Sequence, residues 1–125
     1  MQLAPRLLQS CVMEDLASRH CVPCHGGVPR LGGGEIAELL HQLGGWEVVE
    51  EQHLAKDYKF PNFAGALAFV NRVGAVAEAE GHHPDIFFGW GYAHVKIWTH
   101  AIDGLSESDF ILAAKIDKEV LSAEG

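Results

Sequence analysis

Basic residues are scarce in this chain: 9 Lys and Arg stand against 17 Asp and Glu over 125 residues, a formal net charge of −8. Nowhere do Lys or Arg cluster. Such a chain repels phosphate backbones, so direct binding to nucleic acid is not expected. Cysteine is scarce too, and 3 residues are too few for a disulfide-built scaffold. No apolar run approaches the roughly 20 residues that a membrane span requires. Disorder is excluded by what the chain does have, a hydrophobic share of 48%. That share and length suit one ordinary domain with a modest core.

A targeting peptide is not expected in the first residues either. Arg6 is the sole base among residues 1–12, and the apolar stretches around Leu3 and Leu7 are broken by Pro5 and Gln9. A cytoplasmic, reducing location is expected, with Cys11, Cys21 and Cys24 as thiols. Met13 opens a polar, acidic segment and is a candidate translation start, so residues 1–12 stand outside the fold reading.

From Cys21 to Gly34 the sequence CVPCHGGVPRLGGG carries Pro23, Pro29 and five glycines, which no helix or strand survives. Residues 1–33 therefore read as a poorly structured leader and loop, and 34–125 as a single domain. Ile36, Leu39, Leu40 and Leu43 then recur at helical spacing until Gly44-Gly45. Residues 46–60 hold two short strands broken near Glu51-Gln52. In the second, Leu54, Tyr58 and Phe60 share one face, with His53, Asp57 and Lys59 on the other.

Asn62 caps a long helix whose apolar face is expected to be Phe63, Leu67, Val70, Val73 and Ala77, with Gly81 at its end. Gly89-Trp90-Gly91 is a hairpin tip between strands near 85–88 and 92–100. In the second of these, Val95, Ile97 and Thr99 oppose His94, Lys96, Trp98 and His100. Ser106 with Asp109 starts a last helix, buried along Leu112, Ala113, Ile116 and Val120. The order helix-strand-strand-helix-strand-strand-helix predicts an α+β fold, a four-stranded antiparallel sheet covered on one face by helices.

Among 8 histidines, His82, His83 and His100 stand out. His82-His83-Pro84 follows the long helix where the chain must turn, and Pro84 keeps His83 out of helical geometry. Adjacent side chains of an extended segment point to opposite sides, so the two histidines have different tasks. His100 closes the last strand, where residues can line a cleft. Two imidazoles at one cleft can give and take a proton near neutral pH. A bare His-His pair, however, is more often a turn pair filling hydrogen bonds.

The combination is more specific than the pair. Glu78-Ala-Glu-Gly-His82-His83-Pro84-Asp85, then Val95-Lys-Ile-Trp-Thr99-His100 and Gly104-Leu105-Ser106-Glu107-Ser-Asp109, resembles the pterin-4a-carbinolamine dehydratases over roughly residues 35–120. Gly45-Trp46 followed by two strands and a long helix is similar too.

The resemblance implies dehydration of 4a-hydroxytetrahydropterin to quinonoid dihydropterin, recycling the pterin used by an aromatic amino acid hydroxylase. It implies catalytic His82, His83 and His100, with substrate contacts at His82, His83, Pro84, Thr99, His100, Ala101 and Ile102. It implies no cofactor or metal, and a homodimer or homotetramer. Relatives on this fold that serve as non-catalytic binding or assembly proteins, or as transcription coactivators, supply the alternative reading.

Within that frame His82 and His100 are assigned the proton transfers and His83 the holding of substrate. Glu78, one helical turn before His82, is positioned to accept its imidazole N–H or to be a solvated helix-end acid. Asp109 caps a helix and is a candidate support for His100. Trp46, Phe87, Phe88, Trp90 and Trp98 are candidates to stack on a flat pterin ring, though most of them read as core or subunit-interface residues. Trp98, facing away from Val95 and Ile97, asks for cover by a second subunit. His20-Cys21-Val-Pro-Cys24-His25 is half a zinc site at best, even with Cys11, and lacks the strand and helix of a redox pair.

Overall fold

A computed structural model describes residues 16–21 and 29–124. Three helices, α1 (Gly33–Leu40), α2 (Phe63–Glu80) and α3 (Glu107–Glu124), accompany strands β1 (Glu47–Val49), β2 (His53–Lys59), β3 (Asp85–Gly89) and β4 (Tyr92–Ile97). The strands form one antiparallel sheet in the order β1-β2-β4-β3, as the element order predicts. β2 and β4 are central, with Leu54 opposite Ile97 and Tyr58 opposite Ala93. Their alternation puts Leu54, Tyr58, Ala93, Val95 and Ile97 in the core and leaves Asp57, His94 and Lys96 on the open face. No helix among the described residues is long and apolar enough to cross a membrane.

Local signals set the ends of α2. The Asn62 side chain accepts the Gly65 N–H at 2.8 Å, and Gly81 ends the helix at φ 66°. The buried stripe is Ala66, Phe69, Val73 and Ala77: Val73 and Ala77 are buried as expected, whereas Phe63 and Leu67 are 45% and 39% exposed and Ala66 and Phe69 take their place. Apolar residues occur around most of this helix, so periodicity alone does not choose a face. Packing chooses the stripe on which small Ala66 and Ala77 allow close approach.

One further difference concerns the end of an element. β4 stops at Ile97 rather than near His100. Its neighbour β3 begins only at Asp85, opposite Lys96, and Pro84 before it has no N–H to extend the ladder. Thr99 instead pairs with Gly104, closing a loop in which His100–Ile102 is a 3-10 turn and Asp103 adopts φ 50°.

Upstream, the packed chain reaches back beyond residue 34. Leu16–Ser18 forms a 3-10 turn, and Leu16 lies in the core. Lys115 donates to the Ala17 carbonyl at 2.8 Å, Arg19 pairs with Glu107, and the Leu31 N–H bonds the Leu105 carbonyl. This cover explains why Leu105, Ser106, Ser108 and Asp109, at the start of α3, are all buried. Trp46 is core, its indole N–H donating to Asp117, which also accepts from Lys56 and from the Tyr58 hydroxyl.

Candidate active site

The end of α2 delivers the first two histidines. Because Gly81 turns left-handed, the His82 N–H reaches back to the Ala77 carbonyl at 3.2 Å, and the His82 side chain folds under the helix at 8% exposure. His83, one extended step on, points outward. His100 is carried by the 3-10 turn after β4. His82, His83, Pro84, Thr99, His100 and Ala101 come together around one cleft of about 360 Å³, while Ile102 does not line it.

The carboxylates pair differently from expectation. Asp109 meets His82, not His100: His82 Nε2 lies 2.5 Å from Asp109 Oδ1. Glu78 meets His83, not His82, at 2.6 Å from Nε2, and both of those side chains are largely in solvent. The reason is the turn at Gly81, which carries His82 away from the Glu78 side of the helix and onto the first turn of α3. An exposed pair such as Glu78–His83 contributes little stability, and its effect is to orient the imidazole.

Asp109 is fully buried and surrounded by donors. Its Oδ2 accepts from Thr99 Oγ1 and from the Ser106 N–H, each at 2.8 Å. The Thr99 and Ser106 hydroxyls are themselves 2.8 Å apart. One oxygen thus closes the capping box of α3 while the other takes His82. A carboxylate on Nε2 holds the proton there and leaves Nδ1 as the proton-accepting nitrogen. Among the described residues Nδ1 has no hydrogen-bond partner.

On the opposite side of the cleft, the His100 imidazole lies 4.1 Å, centroid to centroid, from the Trp98 indole. Trp98 Nε1 points at Asp85 Oδ2 at 3.5 Å. Asp85, Trp98 and Gly81 complete the lining; of these the sequence offers only Trp98, as one of several aromatics able to stack on a pterin. The signal available was position. Asp85 directly follows the His-His-Pro run, and Trp98 directly precedes Thr99-His100. Trp98 lies on the face opposite Val95 and Ile97, as the alternation predicts, and remains partly exposed there.

Of the three cysteines, Cys21 alone falls among the described residues. Cys21 is a free, half-buried thiol whose backbone N–H donates to Glu80 at 2.8 Å. Burial, and then the nearby Glu80 charge, push its pKa up to about 12, which suppresses the thiolate a nucleophile or metal ligand requires. Cys11, Cys24 and His25 lie outside the described residues. Among the described residues no three His, Cys, Asp or Glu side chains gather where they could hold a metal.

Comparison with known proteins converges on one family. Residues 29–119 match the family described as pterin 4 alpha carbinolamine dehydratase. A protein of Rubrobacter xylanophilus, provisionally named a pterin-4-alpha-carbinolamine dehydratase, is 58% identical over 85% of this chain and 99% of its own. One of Rickettsia canadensis with the same provisional name is 52% identical over 86% of this chain and all of its own. A crystal structure titled transcriptional coactivator/pterin dehydratase, from Brucella melitensis, superposes with a TM-score of 0.70 at 30% identity, covering 74% of this chain and 99% of that one. A pterin dehydratase-like protein described as a RuBisCO assembly factor superposes with a TM-score of 0.54 at 27% identity, over 61% of this chain and 89% of its own. With its fold and nearly its whole described length matched, the chain belongs to the pterin-4a-carbinolamine dehydratase family.

Proposed function

We propose that this protein dehydrates 4a-hydroxytetrahydropterin to quinonoid dihydropterin, a hydro-lyase step in pterin recycling for aromatic amino acid hydroxylation. The observation that carries the reading is the His82–Asp109 pair at the floor of a cleft that also holds His100. In the reaction the C4a–O bond breaks, its oxygen takes a proton and leaves as water, and N5 gives up its proton as C4a=N5 forms. Nothing is oxidised or reduced.

One group must donate a proton and another must accept one, both near neutral pH, which suits two imidazoles. His82, its Nε2 held by Asp109, works through Nδ1, and His100 serves as the other proton carrier. His83, turned outward and paired with Glu78, helps retain the substrate together with the backbone of Pro84 and of Thr99–Ala101.

The reading extends to assembly and location. Phe87, Trp90 and Tyr92 are exposed on the β3–β4 hairpin, and Phe63 and Leu67 on α2, which supports a homodimer or homotetramer that covers them. A cytoplasmic site of action is in keeping with the free Cys21 thiol. The RuBisCO assembly factor among the structural neighbours supports a second reading, a binding or assembly protein without catalysis.

One assay separates the two. Purified protein added to freshly generated 4a-hydroxytetrahydropterin should accelerate its decay to quinonoid dihydropterin in proportion to protein concentration. Decay at the uncatalysed rate would overturn the dehydratase reading and favour the binding protein.

A further inference from the structure

We propose that Asp85 and Trp98 form the recognition half of the cleft, with the Asp85 carboxylate selecting a 2-amino-4-oxo pteridine and the Trp98 indole supplying the wall along which its rings lie. The inference rests on the dehydratase reading for the identity of the substrate, but it concerns binding and can be tested apart from turnover.

Both residues border the cleft at the end of the sheet nearest the histidines, Asp85 as the first residue of β3 and Trp98 one residue past the end of β4. The Trp98 indole is held on two sides. His100 lies 4.1 Å from it at an interplanar angle of 38°, and Lys96 Nζ sits 5.8 Å from the ring centroid. Its Nε1–H points at Asp85 Oδ2 at 3.5 Å, a long contact that leaves acceptor lone pairs on both carboxylate oxygens. Among the described residues no cation lies within ion-pair distance of Asp85, and Asp85 is the one carboxylate in the lining.

A flat bicyclic ring gains from a π surface, and indole is the largest such surface a side chain offers. The pyrimidine edge of a pterin presents two adjacent donors, the N3–H and the 2-amino group. A carboxylate has two acceptor oxygens and no donor, so it matches that edge with two charge-assisted hydrogen bonds. A lumazine, with oxygen in place of the 2-amino group, would set an acceptor against the carboxylate. An asparagine, with one donor and one acceptor, reverses the match.

The test is calorimetric binding of two unreactive probes, 6-methylpterin and 6-methyllumazine, to the whole protein and to three variants whose thermal unfolding is checked first. The wild type should prefer the pterin by about ten- to a hundredfold, the range that loss of a hydrogen bond to a charged group produces. Asp85→Asn should abolish or invert that preference. Trp98→Leu should weaken both probes alike and keep the preference, and Trp98→Phe should recover part of the lost affinity.

An Asp85→Asn protein that still prefers the pterin, or a Trp98→Leu protein that binds both probes as tightly as the wild type, overturns the proposal. If either occurs while the wild type accelerates carbinolamine dehydration, recognition alone is wrong. If the probes behave as expected but no acceleration is seen, recognition stands and the dehydratase reading falls. A wild type that binds neither probe and shows no acceleration overturns both.

Discussion

His82 Nε2 and Asp109 Oδ1 are 2.5 Å apart across 27 residues of sequence, and both side chains are withdrawn from solvent. This contact joins the end of α2 to the start of α3. It also ties the proton chemistry of the cleft to the capping of a helix.

Asp109→Asn separates those two roles. The amide oxygen can still accept from Thr99 and from the Ser106 N–H, so the capping box survives in part. Turned towards His82, however, the amide NH₂ donates to Nε2 and forces the proton onto Nδ1, the wrong nitrogen for the proposed chemistry. The expected outcome is a fall in kcat of about 10²- to 10⁴-fold with a stability loss of only about 1–3 kcal/mol. Steady-state kinetics beside thermal unfolding would check this. An unfolded variant, or one with wild-type kcat, contradicts it.

The histidines should divide by kinetic parameter. His82→Ala and His100→Ala each lower kcat by about 10²- to 10⁴-fold, compressed toward the rate at which the carbinolamine dehydrates unaided. His83→Ala, at an exposed position, raises KM and leaves kcat nearly unchanged, because it removes binding common to ground and transition states. The His82/His100 double variant falls well short of the product of the single effects. Equal effects of all three substitutions on kcat would refute the division of labour.

Acid stability should depend on Glu80. The Cys21 N–H first, then His20 and Lys115, hold its carboxyl below the usual carboxylate value in spite of partial desolvation. A folded-state pKa below the unfolded value of about 4.3 means that the folded protein binds fewer protons. The stabilisation is therefore complete above the unfolded pKa and is lost as pH falls through the folded one. Unfolding of wild type and Glu80→Gln at a series of pH values should show a gap at neutral pH that closes in acid. A gap independent of pH would show that the charge is not what matters.

The β1–β2 turn offers a gain. Its central residues Glu50 and Glu51 both have φ 54°, and the Gln52 N–H closes it on the Val49 carbonyl at 2.9 Å. That is the geometry of a type I′ hairpin turn, which favours Asn-Gly and strains larger residues. Replacing Glu50-Glu51 by Asn-Gly should stabilise the fold by about 0.5–1 kcal/mol and raise Tm by roughly 2–8 °C, with dehydratase activity unchanged. A lower Tm would mean that the glutamate side chains contribute more than the turn costs.

Short-range features of the sequence determined much of this protein. The period-two pattern of Leu54 and Tyr58 and of Val95 and Ile97 defined the buried side of the central strands, because side chains alternate along any strand. Asn62 and Gly81 marked the ends of α2, because capping and left-handed geometry are properties of a few adjacent residues. The His82-His83-Pro84 and Thr99-His100 motifs pointed to one family for the same local reason.

What needed the tertiary structure was every choice among partners far apart in the chain. Glu78 is a helical turn from His82 yet bonds His83, and Asp109 is nearer in sequence to His100 yet bonds His82. Both follow from how the Gly81 turn sets α2 against α3. The same holds for the first turns of the stripe that α2 buries, for Leu16 in the core, and for the Trp98 indole, which meets the His100 ring. Periodicity states which residues share a side of an element, and only packing states what that side meets.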